Sequence, residues 1–383
     1  MIYKRKPSVR RRNLNGCTCH RWLLCAAGLL WVLQIGRAQS ILGTNLIVNG
    51  NAEAGPASAD GTTVVSSIPS WTKATGNANV LPYGLVNYML LSDPAPPDHG
   101  FNYFAGAPNG TLSTLTQVVD VSSGASLINA GNIKYTAGAY LGGSSGAYPT
   151  QVTMAFQNAN GQSYSTVTLG PLKYVGPGGS GMSLQQQIGL VPAGTTQVLI
   201  TITLYYNHSA ADSLSLVFSV LGTNPSSVLG TNLVVNGNAE KGPSAPSPDI
   251  ALYVPGWSTQ GAASVAPYGG SDWITLSDSG PPDPGVNLFW GGTGYSSNMY
   301  QDLDVSPAAS LIDSNQVSYE VSAWLGGLSG YPSPTLTYTF FDWSGNQLAA
   351  TAQLGPFKYS GTGLYEISNG DVLPAGTRRV HIF

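Results

Sequence analysis

Charge is what this chain most conspicuously lacks. Of its 383 residues only 15 are Lys or Arg and 18 are Asp or Glu. Eight of the fifteen bases fall in the first 38 residues, which contain no acid. Beyond them seven bases face all eighteen acids, a net charge of −11. That balance excludes nucleic acid and anionic membrane surfaces as partners, because neither phosphate neutralisation nor a polybasic patch is on offer. Cysteine is the second scarcity. Cys17, Cys19 and Cys25 all lie in the same leading segment, so the rest of the chain can form no disulfide and has no thiol chemistry. Histidine is the third, with only His99, His208 and His381 after that segment. No HExxH, Cys/His cluster, Gly-x-Ser-x-Gly or phosphate loop occurs. A capped apolar stripe of 3.6-residue period is missing as well, which argues against a helical fold.

The leading segment has its own pattern. Lys4, Arg5, Lys6, Arg10, Arg11, Arg12 and Arg21 precede an apolar run, Trp22 to Ile35, too short to span a bilayer comfortably. Gly36-Arg37-Ala38 then supplies small residues. Basic, apolar and small-residue parts in that order read as an export signal over residues 1–38. The chain is therefore expected to be secreted or held at the extracellular surface, with no membrane insertion after signal cleavage.

Repetition is what the sequence has in abundance. NLIVNGNAEAGP from Asn45 returns as NLVVNGNAEKGP from Asn232. IPSWT at Ile68 returns as VPGWS at Val254, and LSDPAPPDHGFN at Leu91 as LSDSGPPDPGVN at Leu276. TQVVDVS at Thr116, YLGG at Tyr140, LGPLKY at Leu169 and VPAGT at Val191 have counterparts at Tyr300, Trp324, Leu354 and Leu373. The chain thus divides into duplicated domains, 41–220 and 228–383, joined by a short polar linker at 221–227, each long enough for its own core.

Within each copy the local pattern is strand, turn, strand. TQVLITITLYY from Thr196 alternates Val198, Ile200, Ile202 and Leu204 against Leu199, Thr201, Thr203 and Tyr205, the two-residue period of a sheet strand. Asn160-Gly161 and Ser344-Gly345-Asn346 mark hairpin turns. The expected fold class is all-β, two β-sandwiches in tandem. The second copy stops at Phe383, where the first would be at Thr201, and about seventeen residues of the first have no counterpart. The second sandwich is expected to lack its final strand, with Arg378–Phe383 forming a partial one, and the chain reads as a fragment of a longer product.

NLIVNGNAE, IPSWT, TQVVDVS, YLGG, VPAGT and ADSLSLVF (Ala211–Phe218), in that order, resemble the galactose-binding-like jelly-roll domains, which include several carbohydrate-binding modules. The resemblance covers nearly all of the chain after the leader, twice. It implies that the Glu of the opening phrase and the Asp that opens the last strand share a structural calcium with backbone carbonyls. Carried over, Glu53 and Asp212 are the metal ligands of the first copy, and Glu240 that of the second, where no matching Asp follows. Calcium suits hard oxygen ligands in a flexible set. On the residues alone, Glu53 could equally sit on a surface turn and accept hydrogen bonds from nearby amides.

Catalysis finds little support. Asp93 with Asp98, and Asp278 with Asp283, recur in a Pro-rich loop, where turn capping or ion binding is the simpler use. Asp120 and Asp304 precede Val-Ser at a strand end, again a capping position. Binding fits better, since sugars present apolar C–H faces that exposed aromatics can cover. The candidate ligand-binding residues are Tyr83 and Tyr268 in PYG turns, Tyr148 and Tyr331 before Pro, and Tyr140 and Trp324 before Gly-Gly. Trp71 and Trp257 are expected in the core, while Phe104 and Trp290 fit either role. The expectation is a non-catalytic protein that recognises glycan or cell-surface polysaccharide. The rivals are a structural or adhesive surface protein and, behind it, a glycosidase or lyase. An aromatic groove on the concave sheet would favour binding, a Thr/Ser-covered sheet the structural role, and two facing carboxylates in a cleft the enzyme.

Overall fold

A computed structural model describes residues 41–144, 148–174, 177–245, 253–269, 273–292, 297–331, 334–356 and 361–383. Residues 1–40, with the expected export signal and the three cysteines, lie outside the described residues. The first copy contributes β1 (Thr72–Thr75), β2 (Asn79–Pro82), β3 (Asn102–Ala105), β4 (Ser113–Asp120), β5 (Ile133–Gly143), β6 (Thr150–Gln157), β7 (Ser163–Leu172), β8 (Gly181–Leu190), β9 (Gln197–Leu204) and β10 (Ser209–Val220). They form two five-stranded sheets, β1-β4-β9-β6-β7 and β2-β3-β10-β5-β8. One helical turn, α1 (Ala125–Asn129), links β4 to β5; five residues are too few to leave a 3.6-residue stripe in the sequence.

Sequence alternation decides which face each sheet buries. Along β9 the even-numbered Val198, Ile200, Ile202 and Leu204 are fully buried, and their odd-numbered neighbours are half-exposed. Leu115, Val152, Met154 and Phe156 meet them from the same sheet, and Ala137, Leu141, Leu216 and Phe218 from the other. The Asn160-Gly161 turn closes as expected: the Gly161 N–H donates to Asn158 O at 3.0 Å, with Gly161 at φ +79°, a conformation that glycine reaches without strain.

The second copy repeats the plan with one difference. Its strands are β11 (Ser258–Gln260), β12 (Ser264–Pro267), β13 (Asn287–Trp290), β14 (Asn298–Asp304), β15 (Ser318–Gly327), β16 (Leu336–Phe341), β17 (Ala352–Leu354), β18 (Gly363–Val372) and β19 (Arg379–Ile382), with the helical turn α2 (Ala309–Asp313). The sheet β11-β14-β19-β16-β17 matches β1-β4-β9-β6-β7 strand for strand. The other sheet comes as two halves, β12-β13 and β15-β18. No described strand lies between β13 and β15, where the first copy places β10. The architecture is two tandem jelly-roll β-sandwiches, the second without its final strand, and Arg379–Ile382 is the partial strand anticipated for the tail.

Candidate functional site

The repeated Asn-Gly-Asn-Ala-Glu phrase folds as a backbone knot. Asn49 accepts from the Ala54 N–H at 2.9 Å and donates to Pro69 O at 3.0 Å; Asn236 does the same with Lys241 and Pro255. Gln117 clasps the backbone of Val48 and donates to Ser70 O, as Gln301 does for Val235 and Gly256. Asn45 ties the phrase to β10, donating to Leu214 O at 2.9 Å and accepting from the Leu216 N–H at 3.0 Å. The knot aims Glu53 at the start of β3, where one carboxylate oxygen accepts the N–H groups of Phe101 and Asn102 at 2.8 and 2.7 Å. Glu240 takes Val286 and Asn287 at 2.9 and 2.8 Å in the same way. Gly100, at φ +69°, lets the backbone close on Glu53, since a Cβ there would strike the carboxylate.

Asp212 lies on β10, wholly buried, accepting from the Tyr83 hydroxyl at 2.7 Å and the Ser213 N–H at 2.6 Å. Burial pushes its carboxyl well above the ordinary range; the two hydrogen bonds oppose that, and the charges of Glu53 and Asp98 add to it. Among the described residues no basic side chain is found among the groups that act on Asp212. A buried carboxylate so placed must take up a proton or a cation. The donor set, all hard oxygens, fits calcium. Among the described residues, the second oxygen of Glu53 is engaged only by the Asn102 amide, at 3.4 Å. Among the described residues, however, no three Asp, Glu, His or Cys side chains converge closely enough to hold a metal by themselves. A cation here would need backbone carbonyls and water to fill its shell.

The aromatic candidates separate into three groups. Tyr83 is a correction to the sequence reading: it was expected on a turn with its ring free, yet it is only 8% exposed. Its ring packs against Tyr103 and His99, centroids 4.9 and 4.3 Å apart, because its hydroxyl is the buried donor to Asp212. Tyr140, Tyr268 and Trp324 are half-buried. Tyr140 lines a cleft between the sandwiches with Tyr174, Tyr253, Trp257 and Thr259, and burial pushes its hydroxyl up to about 12. Tyr148 and Tyr331 are the exposed pair, at 38% and 73%. Trp71 and Trp257 are core, each edge-on to a phenylalanine, Phe104 or Phe289. The strand register makes Phe289, and not Trp290, the counterpart of Phe104; Trp290 stands where the first copy has Ala105.

Sequence reasoning missed the rings beside Tyr148. Tyr148 stacks on Tyr206 at 4.6 Å and 15°, Tyr206 on His208 at 5.7 Å and 7°, and His208 on Tyr88 at 5.4 Å and 19°. Ser144 Oγ hydrogen-bonds His208 Nδ1 at 2.6 Å, and the Asn207 amide donates to the Tyr88 hydroxyl at 3.0 Å. The run YYNH was the available signal, but it falls where the second copy offers nothing to compare.

Both outer faces of the first sandwich bear on function. That of β2-β3-β10-β5-β8 carries Leu81, Tyr103, Ala105, Ala210 and Met182, and the segment after Tyr83 lays Met89 and Ala95 over it. An open aromatic groove is therefore not found there. On the other sheet Thr72, Thr116, Thr201, Thr153 and Thr168 stand opposite one another across all five strands, pointing away from the core. The repeated acids serve turns: Asp93 and Asp278 accept the N–H groups of Leu90 and Thr275, and Asp120 and Asp304 those of Ser122 and Ser306.

No family model and no curated protein matches the chain. Solved structures are similar to it at low identity. "Family 16 Carbohydrate Binding Module-2" is 18% identical over 45% of this chain and 99% of that one, with a TM-score of 0.30. The N-terminal CBM22-1-CBM22-2 tandem domain from Paenibacillus barcinonensis is 9% identical over 89% of both chains, with a TM-score of 0.28. The enzymatically active domain of Bacteriophage CBA120 tailspike protein 4 is 14% identical, with a TM-score of 0.30, over 46% of this chain and 21% of its own length. Overlaps this small transfer no site, so the chemistry rests on the residues themselves.

Proposed function

We propose that the chain is a secreted, non-catalytic protein that binds glycan or cell-surface polysaccharide. The observation that carries this reading is the pair Tyr148 and Tyr331, which occupy equivalent places in the repeat and present their rings to solvent. An exposed ring costs hydrophobic free energy unless something covers it, and a sugar's C–H face is a matching cover. Tyr148 is also held flat by Tyr206, so little side-chain entropy is lost when a ligand stacks on it. Ser144 and Asn207, both buried, brace the stack from behind through His208 Nδ1 and the Tyr88 hydroxyl. A glycan array on the chain should give binders, and Tyr148→Ala should weaken the best of them about tenfold while leaving the melting temperature nearly unchanged. Retention that survives the double change of Tyr148 and Tyr331 to Ala would sink this reading.

Calcium belongs to the same proposal as a structural ion, with Glu53 and Asp212 as its carboxylates and Glu240 as the corresponding group of the second copy. When bound it would supply the positive charge that a buried Asp212 lacks. Extracellular calcium sites bind at roughly 10⁻⁴ to 10⁻³ M, so a few millimolar should add about 1–2 kcal/mol to the first sandwich. A melting temperature indifferent to chelator would remove calcium from the account.

The structural or adhesive reading has one observation in its favour, the uncharged threonine row across β1-β4-β9-β6-β7. An empty glycan array, with the chain still adhering to surfaces after Tyr148 and Tyr331 are both changed to Ala, would favour it.

A further inference from the structure

Tyr148 is the outer end of a column four rings long. Tyr148, Tyr206, His208 and Tyr88 follow one another at 4.6, 5.7 and 5.4 Å, with interplanar angles of 15°, 7° and 19°. Three separate segments supply the rings: the loop after β5 gives Tyr148, the β9–β10 turn gives Tyr206 and His208, and the loop after β2 gives Tyr88. Backbone closes tightly around them. A Cβ on Gly110 would strike the Tyr206 ring, and one on Gly61 the Tyr88 ring. The Ser209 N–H donates to Tyr206 O at 2.9 Å, and Ser209 Oγ donates to Pro149 O at 3.2 Å, next to Tyr148. The far end is pinned as well: the Tyr88 hydroxyl donates to Gly61 O at 3.2 Å and accepts from the Asn207 amide at 3.0 Å.

Within the column only His208 can change its charge near neutral pH. Its Nδ1 shares a hydrogen bond of 2.6 Å with Ser144 Oγ, and the Ser144 N–H donates to His208 O at 2.8 Å. The groups facing the imidazole are Tyr88 from the loop after β2, Tyr206 from its own turn and Ser144 from the end of β5. All are neutral near pH 7, and among the described residues no carboxylate or base acts on the ring. Burial therefore holds the imidazole below its ordinary value. A proton added there would place an unpaired charge, with its need for water, in the middle of the column.

We propose that His208 is the positioning residue of the Tyr148 platform: neutral, it keeps Tyr206 and Tyr148 stacked, and protonated, it turns toward water and lets them part, so that ligand is released on acidification. Folded His208 gives up its proton more readily than an unfolded histidine. The column is thus complete above the unfolded pKa of about 6.5 and is lost as pH falls below it. The release of ligand rests on the glycan reading of Tyr148; the column stands on ring geometry alone.

The test follows the full chain, labelled in its tyrosine and histidine rings, by NMR between about pH 5 and 8 without ligand. The Tyr148 ring signals should shift with pH along the same curve as the His208 imidazole. Those of Tyr331, which has no ring stacked on it among the described residues, should stay in place. His208→Phe keeps a ring in the column without a charge and should hold Tyr148 at its neutral-pH position throughout, while His208→Ala should show the released position at every pH. Retardation in gels cast with a neutral galactomannan or xyloglucan gives the ligand arm. Affinity should fall about tenfold between about pH 8 and 5, as for loss of the Tyr148 ring, and His208→Phe should abolish the fall. Tyr148 signals that ignore the His208 titration, a pH dependence that survives in His208→Phe, or retention that rises on acidification overturns the proposal. Absence of retention at every pH, with Tyr148 still following His208, would count against the glycan reading and bear out the column.

Discussion

Trp71 stands two residues after Pro69 and Tyr148 directly before Pro149; their surroundings give them opposite energetics. Trp71 is buried, donates its indole N–H to Asn49 O at 3.0 Å and lies edge-on to Phe104. Trp71→Ala should therefore cost about 3–5 kcal/mol, as deletion of a core aromatic does, measured by denaturant unfolding of the first sandwich. Tyr148→Ala should cost less than about 1 kcal/mol, in line with a surface change. Equal losses would mean that the ring stack is part of the core. The buried tyrosines make a second test at this scale. Burial raises the hydroxyls of Tyr103, Tyr135, Tyr140 and Tyr174, to about 12 for Tyr135 and Tyr140. An unfolded tyrosine ionises near 10. A folded value above the unfolded one means that this contribution is fully present below about pH 10 and is lost as pH rises from there through 12. Absorbance at the phenolate band should accordingly climb together with unfolding, and free, reversible titration of all the tyrosines near pH 10 in a folded protein would contradict this.

Elements carry the difference between the two copies. β5 and β15 share a register and a sequence pattern, yet Ala137 and Ala139 are fully buried while Val321 and Ala323 are half-exposed. Exchange of the β15 amides should thus be faster than that of β5 by orders of magnitude, and the second sandwich should melt first, since less apolar surface is removed from water there. Similar protection in both strands would contradict this. Much of this level was readable in advance. The alternation in TQVLITITLYY located β9 and its buried face, and Asn160-Gly161 located a hairpin, because both signals are local consequences of strand pleat and turn stereochemistry. The one-turn helices were not readable, since a single turn leaves no periodicity.

In the whole molecule the two sandwiches meet along β8 and β11. The Gln186 N–H donates to Ser258 Oγ at 3.1 Å, the Tyr300 hydroxyl to Gln185 Oε1 at 2.9 Å, and Lys134 pairs with Asp304. Gln185 is buried, while Lys134 is partly exposed. Gln185→Ala leaves the Tyr300 hydroxyl without its acceptor and should weaken the coupling between the sandwiches by about 1–3 kcal/mol. Lys134→Ala should weaken it by less than about 1 kcal/mol, because the pair is screened by solvent. The separation of the two melting transitions measures both, and the reverse order of effects would mean that the ion pair holds the seam.

The sequence by itself determined the all-β class, the duplication, the buried side of β9 and the core places of Trp71 and Trp257, because period, turn chemistry and side-chain volume act over a few residues. It could not tell Tyr83 from Tyr148. Both are tyrosines beside Pro in a loop, and only the tertiary structure brings Asp212, 129 residues further along the chain, against the first hydroxyl and Tyr206 against the second ring. It left Glu53 open between metal ligand and acceptor of backbone amides, and only the tertiary structure brings the amides of Phe101 and Asn102 against its carboxylate. Exposure and charge environment are set by residues distant in the chain, and the packing of the sheets decided them.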